Sequence, residues 1–232
     1  MISSVRLIGT GRAGSTLAAR LRERGVVVIA GREARADTDL VLLAVPDAAI
    51  ADVARAVPPG PWVAHVSGAT SVTALAPHQR RFSLHPLQTL TRDRGPEQLD
   101  GAWAALTFET EEAGQVAHWL AGQLGLHAFE LADTDKPLYH AGAAMASNFL
   151  VTLYRVAAQL LVESGAPPEA LVPLMRRVIE NGFQLTGPIA RGDWATVDAH
   201  LAALRERAPG AEPVYRALAE ATRAVAAEHA KP

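Results

Sequence analysis

The chain has 232 residues, of which 49% are hydrophobic and 20% charged, with a formal net charge of −2 and no cysteine. That balance suits a chain with a sizeable core, and it excludes disulfides, thiolate metal sites and a cysteine nucleophile. It also argues against nucleic acid or an anionic membrane as the main partner, since both select strongly basic faces.

The N-terminus, MISSVRLIGTGRAG, has no basic region and no long apolar stretch before its glycines, so it does not read as a signal peptide. No uninterrupted apolar run reaches the ~18 residues of a membrane span, and the expectation is a cytoplasmic protein. In chain order the first strands are predicted at 5–9, 26–30, 40–45, 62–66, 81–85, 104–108 and 127–130. Continuous apolar runs such as VLLAV suit parallel strands covered on both faces, and their alternation with helices implies an α/β fold with a doubly wound, Rossmann-type sheet. After Leu131 the strand signals stop. Pro137 can open a helix that runs to Ser164-Gly165, and further helices are predicted at 169–181, 194–207 and 212–228. The expected division is a nucleotide-binding domain over 1–131 and an all-helical domain over 132–232.

Between the first strand and the first helix stand Gly9, Thr10, Gly11, Arg12, Ala13 and Gly14, a G-x-G-x-x-G arrangement. Gly9 permits a tight turn, Gly11 lets backbone approach a pyrophosphate, and Gly14 allows close helix–strand packing. The phosphates would sit at the helix N-terminus, where free N–H groups and the dipole favour an anion. After the second strand come Arg32, Glu33 and Arg35; arginine there suits a 2′-phosphate, so NADP(H) is preferred, with NAD(H) the alternative if Glu33 plays the acidic role. Only eight residues, 31–38, separate the second strand from DLVLLAVPD, fewer than a parallel crossover normally needs. The usual helix there is expected to be missing or reduced to a loop.

Three more polar clusters follow strands three, four and five: Val45-Pro46-Asp47, HVSGAT with Ser67 and Gly68, and SLHPLQT with His85. Ligands in open α/β sheets bind outside the carboxyl ends of the strands, so these clusters are expected to share one edge with the glycine loop. Further on, DKPLYHAGAAMASNF places Lys136, His140 and Ser147 within a narrow arc at ~100° per residue, with Asn148 further round the same side. Either these are buried polar groups bonded to neighbouring helices or they form a polar stripe in a site.

Taken together, GTGRAG, LLAVPDAAI, HVSGAT, SLHPLQT, DKPLYHAGAAMASNFLVTL and LTGPIARGDWATVDAHL resemble a short-subunit dehydrogenase-like family that pairs a Rossmann domain with a domain of unknown function, DUF2520. The likeness covers essentially the whole chain. It implies a layout similar to ketopantoate reductases, pyrroline-5-carboxylate reductases and relatives of 6-phosphogluconate dehydrogenase, whose helical C-terminal domain is of the same kind. It further implies an NAD(P)-dependent oxidoreductase that forms a homodimer through its helical domain. SLHP is also similar to the His-Pro motif of prephenate dehydrogenases, and Lys136 with Asn148 resembles the Lys–Asn pair of ketopantoate-reductase-like enzymes at looser spacing.

Hydride transfer to a carbonyl or imine needs an acid/base and a fixed donor beside the substrate heteroatom. Lys136, His140 and His85 are the candidate acids, with Asn148 as a donor, and Ser67 is a candidate substrate or carboxamide contact. The TGPIARGD loop supplies Thr186, Arg191 and Asp193. Arg191 on a Gly/Pro loop either binds a carboxylate, from which a small carboxylate-bearing substrate is expected, or pairs on the surface, whereas Asp193 reads as a helix cap. His65, His85 and His140 lack the local spacing of a zinc site, and no metal is expected. The competing function is a non-catalytic nucleotide-binding sensor or scaffold, which the shortened crossover would suit.

Overall fold

The structure is a computed structural model that describes residues 2–31, 33, 35 and 37–229. By its contacts the chain divides into two compact units, Met1–Ser147 and Asn148–Pro232.

The first unit is built on a seven-stranded sheet: β1 (Ser4–Ile8), β2 (Val27–Gly31), β3 (Leu40–Leu43), β4 (Trp62–His65), β5 (Arg81–Leu87), β6 (Trp103–Phe108) and β7 (His127–Glu130). Their spatial order is β2-β1-β3-β4-β5-β6-β7. All neighbours run parallel except β5 and β6, which pair antiparallel. The mostly parallel sheet matches the expected doubly wound fold, and the reason for its one antiparallel pair lies in residues 88–102. They hold only a 3-10 turn, Pro96–Leu99, so no helix carries the chain back across the sheet before β6 begins.

Two apolar cores cover the sheet. Helices α1 (Arg12–Glu23) and α3 (Glu111–Leu124) enclose one with Leu17, Leu21, Leu42, Phe82 and Leu106; α2 (Ile50–Ala56) encloses the other with Val41, Leu43 and Val63. In β3 and β4 every residue is buried, as continuous apolar strands require. β2 differs. No helix stands among the described residues between Gly31 and Leu40, and the face it would cover leaves Val27 and Ile29 exposed. The short crossover is instead tied down by buried Arg6, whose Nε and Nη2 donate to Asp37 at 2.7 and 2.6 Å.

Still in this unit, α4 (Lys136–Ala144) leads into a π-helical turn, Met145–Phe149. The second unit then contains α5 (Leu150–Glu163), α6 (Leu171–Glu180), α7 (Trp194–Arg207) and α8 (Glu212–His229). The helical run Asp133–Glu163 is long and apolar enough to cross a membrane by length and composition alone. Counting only uninterrupted apolar residues misses it, because His140, Ser147, Asn148, Thr152 and Arg155 break the run.

Candidate functional site

Strand register brings the sequence clusters to one line. Ile8 of β1 pairs with Leu43 of β3, Leu43 with His65 of β4, and His65 with Ser83 of β5. The glycine loop, Val45-Pro46-Asp47, Ser67-Gly68 and His85 therefore leave the same carboxyl edge of the sheet, within three strand spacings of about 4.8 Å each.

At one end of this rim the glycine loop is shaped for a ligand. Gly9 has φ 113°, and a Cβ on it would strike the carbonyl of Ala44; a Cβ on Gly14 would strike the carbonyl of Gly9. Gly11, by contrast, has open space where its Cβ would be. It caps α1 without a side-chain acceptor, and the first turn of α1 holds no acidic residue, so the helix's own end supplies no anion to its dipole and N-terminal N–H groups. A cavity of about 430 Å³ lies here, lined by Gly9, Thr10, Gly11, Val45, Pro46 and, from the loop after β5, Arg92. Arg12 and Ala13 open α1, with Arg12 exposed. Arg32 lies outside the described residues; Arg35 is ion-paired with Glu33 at 2.5 Å.

Further along the rim the polar residues form one network. The Ser67 hydroxyl lies 2.8 Å from Asp47 Oδ2 and 2.9 Å from Thr70 Oγ1, and accepts the N–H groups of Ala69 and Thr70. It is thus committed within its own loop. Lys136 is 2% exposed. Its Nζ donates to Thr70 O and Ser83 Oγ, both at 2.7 Å, and lies 3.7 Å from Asp133. Asp133 in turn accepts from the Ser71 hydroxyl and from Val72 N. These contacts lock α4 to the loop after β4 and to β5. Burial lowers the Lys136 ammonium to about 8 despite Asp133 and Asp47, which pull it upward. For Asp133, burial pushes up, but the hydrogen bonds from Ser71 and Val72 and the charge of Lys136 hold it below its usual value.

His65, fully buried in β4, accepts from Ser67 N at Nδ1 and meets Ser71 O with Nε2. It is a neutral imidazole with its proton on Nε2; burial, then Lys136, lowers it to about 4. His85 is likewise lowered to about 4 by burial, then by His140 and Lys136. Its Nδ1 is 2.7 Å from the Tyr139 hydroxyl, and its ring lies edge-on to those of Tyr139 and His140 at 5.6 and 6.0 Å. Burial raises the Tyr139 phenol to about 12, so it keeps its proton. Gly68 lies against the same rings: a Cβ there would come within 2.8 Å of His85 and 2.9 Å of His140. A side chain at this position would have to push one of the two rings aside.

The structure thus groups Asp47, Ser67, Gly68, His85, Lys136 and His140. Ser147 donates to Ala143 O of its own helix at 2.7 Å and does not join them. Asn148, Thr186 and Arg191 belong to the second unit, where Asn148 is exposed on the π-helical turn and Thr186 and Arg191 lie in the segment before α7. Asp193 caps α7, accepting from Thr196 N and Oγ1. The sequence carries no local mark of the parts played by Tyr139, Thr70, Ser83, Asp133 and Arg92. Tyr139 is adjacent to His140, off the helical arc that motivated the stripe. Thr70 and Ser83 meet Lys136 across 66 and 53 residues of chain, and Asp133 meets Ser71 across 62. Arg92 reaches the glycine loop from a different strand end. Among the described residues no three His, Asp or Glu side chains are grouped to hold a metal ion.

The same two-part layout is found in known proteins. The model of the domain of unknown function DUF2520 matches residues 103–222, and that of a Rossmann-like domain matches residues 4–88. The match is to these two domains and not to short-subunit dehydrogenases. No curated protein matches the chain. Among solved structures, BF3122 of Bacteroides fragilis, a provisionally assigned NADP oxidoreductase, is similar with TM-score 0.80 and 18% identity over 96% of this chain and 98% of that one. Protein TM1727 of Thermotoga maritima has TM-score 0.78 and 24% identity over 98% and 100%. The pyrroline carboxylate reductase of Plasmodium falciparum, solved with NADP bound, has TM-score 0.60 and 12% identity over 97% and 98%. At these identities the likeness is one of fold.

Proposed function

The chain belongs to the DUF2520 family, its family domain preceded by a Rossmann-like domain, and from that premise we propose that it is a cytoplasmic oxidoreductase using NADP(H) in preference to NAD(H) on a small keto, hydroxy or imino acid. The observation that carries this reading is the neutral His85, bonded to Tyr139, on the same sheet rim as a glycine loop open at Gly11. The cofactor-bearing neighbour from Plasmodium falciparum supports the cofactor assignment by analogy of fold.

Gly9, Gly11, Gly14 and the first turn of α1 would hold the pyrophosphate, and Thr10, Val45 and Pro46 would line the cleft beside it. When bound, the nicotinamide supplies or accepts a hydride. The chain's own part is proton handling. With Nδ1–H donated to the Tyr139 oxygen, His85 presents a free Nε2 that takes the proton of a substrate hydroxyl in oxidation and returns it in reduction. His140 lies edge-on to His85 and is exposed to solvent. Lys136, with its donors occupied, holds the loop carrying Ser67 and Gly68 against β5, so that its contribution is to position the site. The carboxylate preference rests on the residue type and loop chemistry of Thr186 and Arg191. The exposed apolar faces of the second unit, with Leu174 60% and Phe183 72% exposed, support a homodimer formed through that unit.

The test is NADPH consumption against a panel of keto and imino acids, comparing the wild type with His85→Ala and Lys136→Ala. We expect turnover in the wild type and a loss of about a hundredfold or more in His85→Ala; unchanged rates in both variants would refute the assignment. Tight NADPH binding without turnover on any substrate would favour the sensor reading, which the uncovered β2 face motivates.

A further inference from the structure

We infer that Arg92 is a preset clamp for the cofactor's pyrophosphate, delivered to the glycine loop by a segment that α1 and Gln98 hold in place. The inference rests on the dinucleotide-binding reading and adds to it a residue outside the glycine motif.

Arg92 lies in the loop after β5, far in sequence from the glycines, yet it lines the same cavity as Gly9, Thr10 and Gly11. Among the described residues its guanidinium has no carboxylate partner, whereas Arg94 in the same loop is paired with Glu97. A loop of this composition, TRDRG, would ordinarily be mobile. Here it is held. Gln98, 6% exposed, accepts from Thr91 N at 2.8 Å and Thr91 Oγ1 at 3.2 Å through its side-chain oxygen. Its amide nitrogen donates to the carbonyls of Thr91, Arg94 and Gly95 at 3.2, 2.9 and 2.9 Å. One buried side chain therefore closes the backbone on both sides of Arg92. The segment is further fixed to α1: buried Arg20 donates to Pro96 O at 2.6 Å and to Asp100 at 2.7 Å. The same helix that begins at the glycine loop thus fastens the loop that brings Arg92 to it.

The ligand group can be chosen from the lining. The cavity is made from the ends of β1 and β3 and from Val53 of α2, on the side of β1 facing away from β2. Among the described residues, none of those following β2, where a ribose 2′ substituent is read, lines it. The strand order turns between β1 and β3, the place where dinucleotides cross an open sheet. An anion there is the pyrophosphate, and a guanidinium suits two phosphate oxygens at once. Because Gln98 and Arg20 have already ordered the loop, binding need not supply that ordering.

Equilibrium titration of the wild type and Arg92→Ala with NADPH and with NADH tests this. The pyrophosphate is common to both, so both Kd values should rise together, by about ten- to a hundredfold for loss of a charge-assisted contact. Arg92→Lys, which keeps the charge and loses the fork, should fall between. Equal affinities in wild type and Arg92→Ala, with matching melting temperatures, would overturn the clamp and leave the nucleotide reading intact. A loss confined to NADPH would also overturn it, since Arg92 would then be reading the 2′-phosphate. If the wild type bound neither cofactor, the nucleotide reading itself would fail and the clamp with it.

Discussion

The two units of this chain treat their apolar residues in opposite ways. In the sheet unit, Leu40 to Leu43, Phe82, Leu84 and Leu106 are fully or almost fully enclosed, and the helices on either face are built to cover them. In the helical unit, α5 and α6 bury no residue at all, and among the described residues of the unit only Val197, Leu201 and Leu204 of α7 are buried apolar side chains. Leu174, Ile179 and Phe183 face outward instead. Exposed apolar helix surface is where a further surface commonly binds. The sheet unit thus encloses its central strands itself, whereas the outward apolar side chains of the helical unit are what the proposed homodimer would cover.

Core substitutions should expose this contrast most strongly. Phe82→Ala removes a ring that is fully enclosed between sheet and helices, and should cost about 3–5 kcal/mol in urea unfolding. Ile179→Ala, at a position 58% exposed, should cost less than about 1 kcal/mol in a dilute monomer. Its more disruptive version, Ile179→Glu, should leave the fold intact and shift sedimentation from dimer to monomer. A wild type that sediments as a monomer at all concentrations would break the comparison.

Acid should separate the units next. His65 is held neutral in the folded state at about 4, against about 6.5 when unfolded. Between those values the unfolded chain binds more protons, so stability must fall as pH drops from 6.5 towards 4, by up to about 3 kcal/mol from this residue. Below 4 both states are protonated and the loss levels off. His85, lowered for the same reason, acts in the same window, and both lie in the sheet unit. Melting temperatures measured from pH 7 to 4 should therefore decline, and His65→Gln should flatten the slope. A pH-independent melting temperature in that range would contradict buried, neutral histidines.

Much of this arrangement is written locally. Strands such as Leu40–Leu43 are legible because an apolar run buried on both faces cannot hide its pattern. The glycine loop is legible because Gly9 and Gly14 answer steric demands that no other residue meets. That no helix stands among the described residues after β2 follows from counting eight residues. The antiparallel turn to β6 is not legible, since it depends on what residues 88–102 fail to form. Nor are the partners of Lys136, whose three contacts come from Thr70, Ser83 and Asp133; a buried lysine is explained only when the loop folded over it is known. Tyr139 and Arg92 fall in the same class, because their meaning lies in a residue or cavity that the chain reaches from elsewhere.

The smallest effects come from two helix caps, one in each unit, and they test whether the units unfold together. Thr110 caps α3 by accepting from Ala113 N at 3.2 Å, and Asp193 caps α7 by accepting from Thr196 N at the same distance. Either side chain replaced by alanine should cost about 1 kcal/mol. If the chain unfolds as one cooperative block, Thr110→Ala and Asp193→Ala should shift a single transition by similar amounts. If the helical unit is held mainly by its partner, Asp193→Ala should shift an earlier transition that dilution also lowers, while Thr110→Ala moves only the later one. Differential scanning calorimetry at two protein concentrations distinguishes these outcomes. An Asp193→Ala shift independent of concentration and coincident with that of Thr110→Ala would mean that the helical unit draws its stability from within the chain, its exposed apolar faces notwithstanding.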